Sequence, residues 1–497
     1  MADAAGRRRP KPCRAQNAGR WRDGTAVAGG ASVRARSTGG VRRCSVGGAC
    51  ICPGAGLASE PGACAGKRAR RRAAMSRYAT AGFDYVDGAL QCEGVPLARI
   101  AQQWGTPTYV YSKRVLLESY HRYVRALAGR PALVCYAMKA NSNLALLELL
   151  ARAGSGFDIV SGGELARALA VGAAPGRIVF SGVGKSAAEI EAALDAGIAC
   201  FNVESAPELE RISAIARRRG QRAPVSLRIN PDVDARTHPY ISTGLKSNKF
   251  GIAADDALPL YRHAAALPGI EVAGIDCHIG SQITTVEPYL DAAERILDLV
   301  DALQRHGIGL RHIDLGGGLG IRYRDEAPPP IESLVGALLA CIDRRGHGDK
   351  QLLLEPGRSI VGDAGVLLTR VEYLKTGAQK HFAIVDAAMN DLLRPALYDA
   401  WMDVRPVQPR AGAGLCMDIV GPVCESGDWL ARERTLALVP GDLLALSGAG
   451  AYGMSMASNY NSRGRPAEVI VDGAAMHLVR AREDFAQLVA GERVLPR

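Results

Sequence analysis

From Leu133 to Gly357 the chain repeats one pattern. A short apolar run rich in β-formers is followed by a helical stretch of Ala, Leu, Glu and Arg at three-to-four spacing. The runs are LVCYAMKA (133–140), GFDIVS (156–161), RIVFSGVG (177–184), CFNVES (200–205), VSLRIN (225–230), VAGIDCHIG (272–280), HIDLGGG (312–318) and LLLEPG (352–357). Strands alternating with helices imply a parallel sheet, because each crossover helix carries the chain back before the next strand begins. Eight such units over roughly 225 residues predict an α/β fold of the (β/α)8 TIM-barrel type. A doubly wound open sheet is the alternative.

Polar residues gather at the C-terminal ends of these runs: Lys139, Asp158, Ser181, Glu204, Asn230, His278, Gly316 to Gly318, and Glu355. Taken singly, each reads as a strand-end cap or a turn. Taken together they mark the face on which barrels carry their active sites.

The texture changes after residue 362. VLLTRVEYLKTG, HFAIVDAAM, MDIVGPVC, DLLALSGAGAY and AEVIVDGAAMHLVR read as strands, with Asp472-Gly473 as a hairpin turn. The stretch FDYVDGALQCEGVPL, with its Asp87-Gly88 turn, has the same character. The expected organisation is a barrel over 111–362, a Greek-key-like all-β domain over 363–497, and strands within 75–110 that join the second domain.

The net charge of +11 is concentrated at one end. Residues 1–74 hold 16 Lys or Arg against Asp3, Asp23 and Glu60, a net +13, so the other 423 residues carry 11 − 13 = −2. This segment lacks hydrophobic periodicity and cannot offset its ordering entropy, so it reads as disordered. Met75 stands just ahead of the first patterned sequence, and the favoured expectation is that translation starts there. An organelle-targeting peptide is disfavoured by the Gly pairs, the prolines and the lack of an amphipathic pattern. A nucleic-acid-binding tail is disfavoured because no aromatic residues interleave the arginines. Five of the twelve cysteines lie in this segment, and the rest are scattered singly without CxxC pairs. That argues against a zinc site or a disulfide framework and for a reducing cytoplasm. No apolar run reaches the roughly 18 residues of a membrane span.

Lys139 ends the first strand, where partial burial is expected to disfavour its charged form and free the amine for a carbonyl. Gly316, Gly317 and Gly318 end the seventh strand, where barrels bind phosphate through backbone amides. Glu355 and Arg358 in EPGR end the eighth. An amine for a Schiff base, a phosphate nest, the flat ring of His278 and a carboxylate for a pyridinium nitrogen are what pyridoxal phosphate requires.

YAMKAN, FDIVSGGEL, NPDVDARTHPYISTGLKSNKFGI, CHIGSQ, DLGGGLG, EPGRSIVG, DLLRPALY, GPVCESGD and GAYG resemble, in order, the signature blocks of the diaminopimelate decarboxylases, within the alanine-racemase-like barrel class. The resemblance covers about residues 80–490. It implies Lys139 as the Schiff-base lysine and His278 stacked on the pyridine face. Gly280, Ser281, the three glycines and Tyr452 hold the phosphate side, Glu355 faces the ring nitrogen, and Pro356, Gly357 and Arg358 complete the cofactor-binding set. Arg358, Arg394, Tyr398 and Tyr452 bind substrate, Glu425 reads its distal amino-acid centre, and Cys424 donates the proton. No metal ligand is implied. It further implies removal of one carboxylate from meso-diaminopimelate to give L-lysine, and a homodimer in which Cys424 and Glu425 serve the other subunit's site.

The neighbouring ornithine- and arginine-type decarboxylases tend to have Gly where Gln282 stands and Cys-Asp where Cys424 and Glu425 stand. An alanine racemase would not place Glu355 at the ring nitrogen. A non-catalytic pyridoxal-phosphate carrier would have no use for Arg394, Cys424 and Glu425. The charge distribution and the missing apolar span leave no expectation of a nucleic-acid or membrane partner.

Overall fold

The computed structural model describes residues 81–234, 243 and 248–497. The basic segment 1–74 and the middle of the block between Asn230 and Ile252 lie outside the described residues.

Each of the eight runs forms a strand. They are β1 (Ala132–Ala137), β2 (Gly156–Ile159), β3 (Ile178–Phe180), β4 (Cys200–Val203), β5 (Ala223–Asn230), β6 (Ile270–Asp276), β7 (His312–Asp314) and β8 (Gln351–Leu354). They pair in parallel in sequence order, and β8 returns to β1 with Leu352 opposite Ala132. That last pairing closes the ring and excludes the open sheet.

Leu133, Cys135, Val179, Cys200, Ala273 and Leu353, drawn from five of the strands, form one small apolar cluster. Leu133 and Cys135 alternate along β1, so Ala137 continues the same face toward the strand's C-terminal end. The connections after β1 to β4 end on residues that satisfy orphan amides of the next helix. Asn143, Ser161, Ser186 and Ser205 each accept from a first-turn N–H of the helices Leu144–Arg152, Gly162–Ala170, Ala187–Ala196 and Ala206–Arg218. Among the described residues, no helix is long and apolar enough to cross a membrane.

The second domain is organised by the long strand Gly365–Thr376, which pairs antiparallel with Thr108–Ser112, Leu443–Leu446 and His381–Val385. Thr108–Ser112 pairs on its other side, in parallel, with Ala467–Asp472, which folds back as a hairpin onto Ala475–Arg480. The early hairpin Phe83–Val86/Ala89–Cys92 turns at Asp87 and Gly88, with φ of 50° and 80°, as a two-residue Asp-Gly turn requires. Its Phe83 and Leu90 join Val95 in a cluster with Val366, Val407, Ala445 and Val469 of the second domain. The second domain is a sheet domain that also carries short helices. Arg394–Tyr398 is one, with Pro395 in its first turn where a missing N–H costs nothing, and Phe485–Leu488 is another.

A buried acid ties the two domains together. Glu468, on Ala467–Asp472, accepts from Tyr111 Oη at 2.8 Å and from Asn143 Nδ2 at 2.9 Å. Asn143 belongs to the first connection of the barrel and Tyr111 to the central strand of the sheet. Burial pushes the Glu468 carboxyl above its usual range despite these donors. Glu468→Ala leaves both donors unsatisfied and is expected to lower unfolding stability by about 1–3 kcal/mol. Urea denaturation measures this, and an unshifted midpoint would show that the tie contributes nothing.

Candidate active site

The C-terminal ends of the barrel strands converge on a cleft of about 230 Å³ whose lining includes Lys139, His278, Ser281, Glu355, Arg358, Arg394, Tyr398 and Tyr452. Acids crowd at and beneath its floor, Glu355 in the lining and Asp158, Glu204, Asp276 and Asp314 behind it. Lys139 Nζ lies 2.6 Å from Asp158 Oδ2, and Arg228 Nη1 lies 2.8 Å from Glu204 Oε1 and its Nε 3.9 Å from Asp276. Carboxylate oxygens of Asp276, Asp314 and Glu355 lie within 4.8 Å of one another, all buried. Asn202 Nδ2 donates to Glu355 at 3.3 Å and to Ser181 Oγ at 3.1 Å.

Burial and mutual repulsion push the carboxyls of Glu355 and Asp276 well above the usual carboxylate range. Asp314 is pushed up to about 7, chiefly by burial. The electrostatics of Lys139 differ from the sequence expectation of a neutral amine. Burial does act to lower its pKa, but Asp158, Glu355 and Tyr452 outweigh it and hold the ammonium above its ordinary value. Burial, with Arg228 and Lys139 nearby, pushes His278 well below its ordinary value, so its ring is uncharged. His278 Nδ1 accepts from Gly317 N–H at 3.2 Å, which leaves the other ring nitrogen to carry the proton.

The three glycines are needed because backbones meet there. A Cβ on Gly317 would lie 2.0 Å from the Glu355 carbonyl oxygen, and one on Gly318 2.2 Å from that of Gly280. Gly318 and Gly357 face the cleft, whereas Gly280, Gly316, Gly317 and Pro356 are not in its lining. The Pro356 carbonyl accepts from Ala137 N–H at 3.1 Å, which joins β8 to β1 beyond their last paired residues.

Opposite the acidic floor the wall is basic. Arg358 donates from Nη1 to Tyr323 Oη at 2.7 Å and from Nη2 to Ser281 Oγ at 3.0 Å, and lies 4.7 Å from the ring centre of Tyr452. Arg394 sits over the rings of Tyr323 and Tyr398, 5.1 and 5.7 Å from their centres. Both arginines are buried, at 4% and 5% exposure, and the Nε of each lacks a hydrogen-bond partner. Among the described residues neither guanidinium has a carboxylate partner.

Cys424 and Glu425 are not brought to this cleft. They are exposed on the turn between Leu415–Val420 and Trp429–Leu436, which is braced by Asp428 accepting from Val423 N–H at 2.7 Å and Met389 N–H at 2.6 Å. Glu425 accepts there from Tyr460 Oη.

Sequence reading passed over Asn202, Arg228, Asp276, Asp314 and Tyr323. The signal for the first four was parity. Each stands two residues before a polar strand end already singled out, Glu204, Asn230, His278 and Gly316, so alternation puts both on one face. Tyr323 lies in a loop and carries no such signal.

The pyridoxal-binding domain of the pyridoxal-dependent decarboxylases matches residues 114–362. The diaminopimelate decarboxylase of Pseudomonas aeruginosa is 61% identical over 415 residues, covering 83% of this chain and 99% of that protein. That of Aquifex aeolicus is 46% identical over 82% of this chain and 96% of its own length. The structure of Helicobacter pylori diaminopimelate decarboxylase complexed with L-lysine is 43% identical, with a TM-score of 0.76 over 79% of this chain and 98% of that one. The chain belongs to the diaminopimelate decarboxylase family.

Diaminopimelate decarboxylases of this kind work with pyridoxal phosphate, and the cleft suits it. Of the buried acids, Glu355 is in the cleft lining, where it would meet a ring nitrogen. The wall offers cations and unpartnered N–H groups to anions. The amine of Lys139 and the uncharged ring of His278 lie between them.

Gly317→Ala drives a methyl into the Glu355 carbonyl and is expected to lower thermal stability and abolish the visible absorbance of retained cofactor. Unchanged melting and absorbance would show that the close approach is dispensable.

Proposed function

We propose that this cleft removes one carboxylate from meso-diaminopimelate, releasing carbon dioxide and L-lysine. The observation that carries this reading is the pair Arg358 and Arg394, buried in the lining of the cleft that also holds Lys139, with no carboxylate of the described residues to neutralise them. An unpaired buried charge is costly, and a dicarboxylate substrate supplies what is missing.

Lys139, oriented by Asp158, would anchor pyridoxal phosphate, with His278 against its flat face and Glu355 toward its ring nitrogen. Ser281, Tyr452 and the amides of the glycine loop would hold its phosphate. When bound, the cofactor supplies an electron sink for the pair left behind as carbon dioxide departs. Arg394, with Arg358 and Tyr398, would hold the carboxylate that stays. The bond broken joins the α-carbon to its carboxylate, and a proton takes the vacated position.

The proton is assigned to Cys424, and recognition of the distal ammonium to Glu425, both of the partner subunit in a two-fold dimer. Their exposure on a braced turn outside their own chain's cleft supports this reading, as does the lack of a thiol in the cleft lining among the described residues.

Carbon dioxide release from meso-diaminopimelate, ornithine, arginine and lysine tests the reaction. Wild type is expected to act on the first alone. Arg394→Ala is expected to weaken substrate binding by about 2–5 kcal/mol while cofactor affinity holds. An equal loss of cofactor affinity would place Arg394 at the phosphate instead.

Subunit mixing tests the shared site. Lys139→Ala and Cys424→Ala homodimers are each expected to be nearly inactive. Equal mixing with exchange gives mixed dimers as about half of the total, each with one intact site, and restores roughly a quarter of wild-type activity. No recovery, with exchange verified by mass, refutes the shared site and leaves the decarboxylase reading standing.

A further inference from the structure

The two buried guanidiniums share one neighbour, Tyr323. It follows the glycine loop of β7, and its backbone N–H donates to the Glu326 carboxylate at 3.1 Å. Its ring packs on Gly448, where a Cβ would come within 3.0 Å of the ring edge. Gly448 has a φ of +68°, so a side chain there is disfavoured twice over. The ring is thus wedged in place and only 7% exposed.

The hydroxyl and the ring face do different work. Tyr323 Oη accepts from Arg358 Nη1 at 2.7 Å, fixing that guanidinium together with Ser281. The ring face lies 5.1 Å from Arg394 Cζ. The Arg394 guanidinium has no hydrogen-bond acceptor among the described residues, so the rings of Tyr323 and Tyr398 are what aim it. Two like charges in a dry wall would otherwise separate or reorient. Tyr323 holds both by contacts that leave most of their N–H groups free.

We propose that Tyr323 is a positioning residue for substrate. It sets the separation and tilt of Arg358 and Arg394 so that they clamp the carboxylate the reaction leaves in place, and it thereby makes the site discriminate between ligands that keep that carboxylate and those that lack it. This rests on the reading of the cleft given above.

The test uses holoenzyme and two probes: L-lysine, which keeps a carboxylate, and 1,5-diaminopentane, the same chain without one. Tyr323→Phe keeps the ring and removes the hydroxyl, whereas Tyr323→Leu removes both. L-Lysine binding is expected to weaken about tenfold in Tyr323→Phe and further in Tyr323→Leu, as loss of a hydrogen bond to a charged group implies. Binding of 1,5-diaminopentane is expected to stay within about twofold, because the variants leave its contacts alone. In Tyr323→Phe, KM for meso-diaminopimelate should rise in step with the L-lysine constant while kcat and the visible absorbance of bound cofactor hold. Unchanged L-lysine binding, or equal weakening for both probes, overturns the proposal and leaves the reaction assignment intact. A wild-type holoenzyme that binds neither probe and releases no carbon dioxide from meso-diaminopimelate overturns the reading of the cleft, and this proposal with it.

Discussion

The structure depends on a separation of charge inside the barrel mouth. Asp158, Glu204, Asp276, Asp314 and Glu355 crowd the floor with only Lys139 and Arg228 against them, while Arg358 and Arg394 stand in the wall without a carboxylate partner among the described residues. Burial raises the carboxyls of Glu355, Asp276 and Asp314, so the floor relieves its crowding by holding protons, whereas guanidiniums keep their charge. The acids sit in or just after the barrel strands, while Arg358 and Arg394 sit on short helices, Arg358–Val361 and Arg394–Tyr398. What fills the gap between them meets Glu355 on the floor side and two guanidiniums that call for anions on the wall side.

Other features follow from keeping that gap in shape. The uncharged ring of His278 fits between a cationic lysine and a cationic arginine because it adds no third positive charge. The glycine loop lets β7 lie against the β6 and β8 connections with no side chain between, so the floor is backed by backbone rather than by mobile groups. The short helix Arg394–Tyr398 reaches the cleft from the second domain, so the basic wall needs both domains in register. Glu468 supports that register from the opposite side of the central strand.

The barrel was legible because its cause is periodic: eight apolar runs, each followed by a helical stretch, each supplied a strand. Lys139, His278 and Glu355 were legible because chemistry-bearing residues interrupt an apolar run at a strand end. Asn202, Arg228, Asp276 and Asp314 were less so, since a polar residue inside a strand looks like noise until its parity is matched to a strand end. Tyr323 was not legible, because its place depends on the packing of a loop against Gly448, more than a hundred residues away. The charge state of Lys139 was also beyond sequence, since it depends on acids contributed by two other strands.

Thr108–Ser112 sits in the middle of the second sheet, yet both of its partners lie far downstream, at Gly365–Leu368 and Ala467–Val471. A ribosome would therefore release this segment, and then the whole barrel, before either neighbour existed to receive it. During that interval the strand exposes both hydrogen-bonding edges, a risk for mispairing with another nascent copy. The barrel is consequently an insertion within the sheet domain in topological terms, and Ala467–Asp472 acts as a clasp that closes over the earliest-made strand of that sheet.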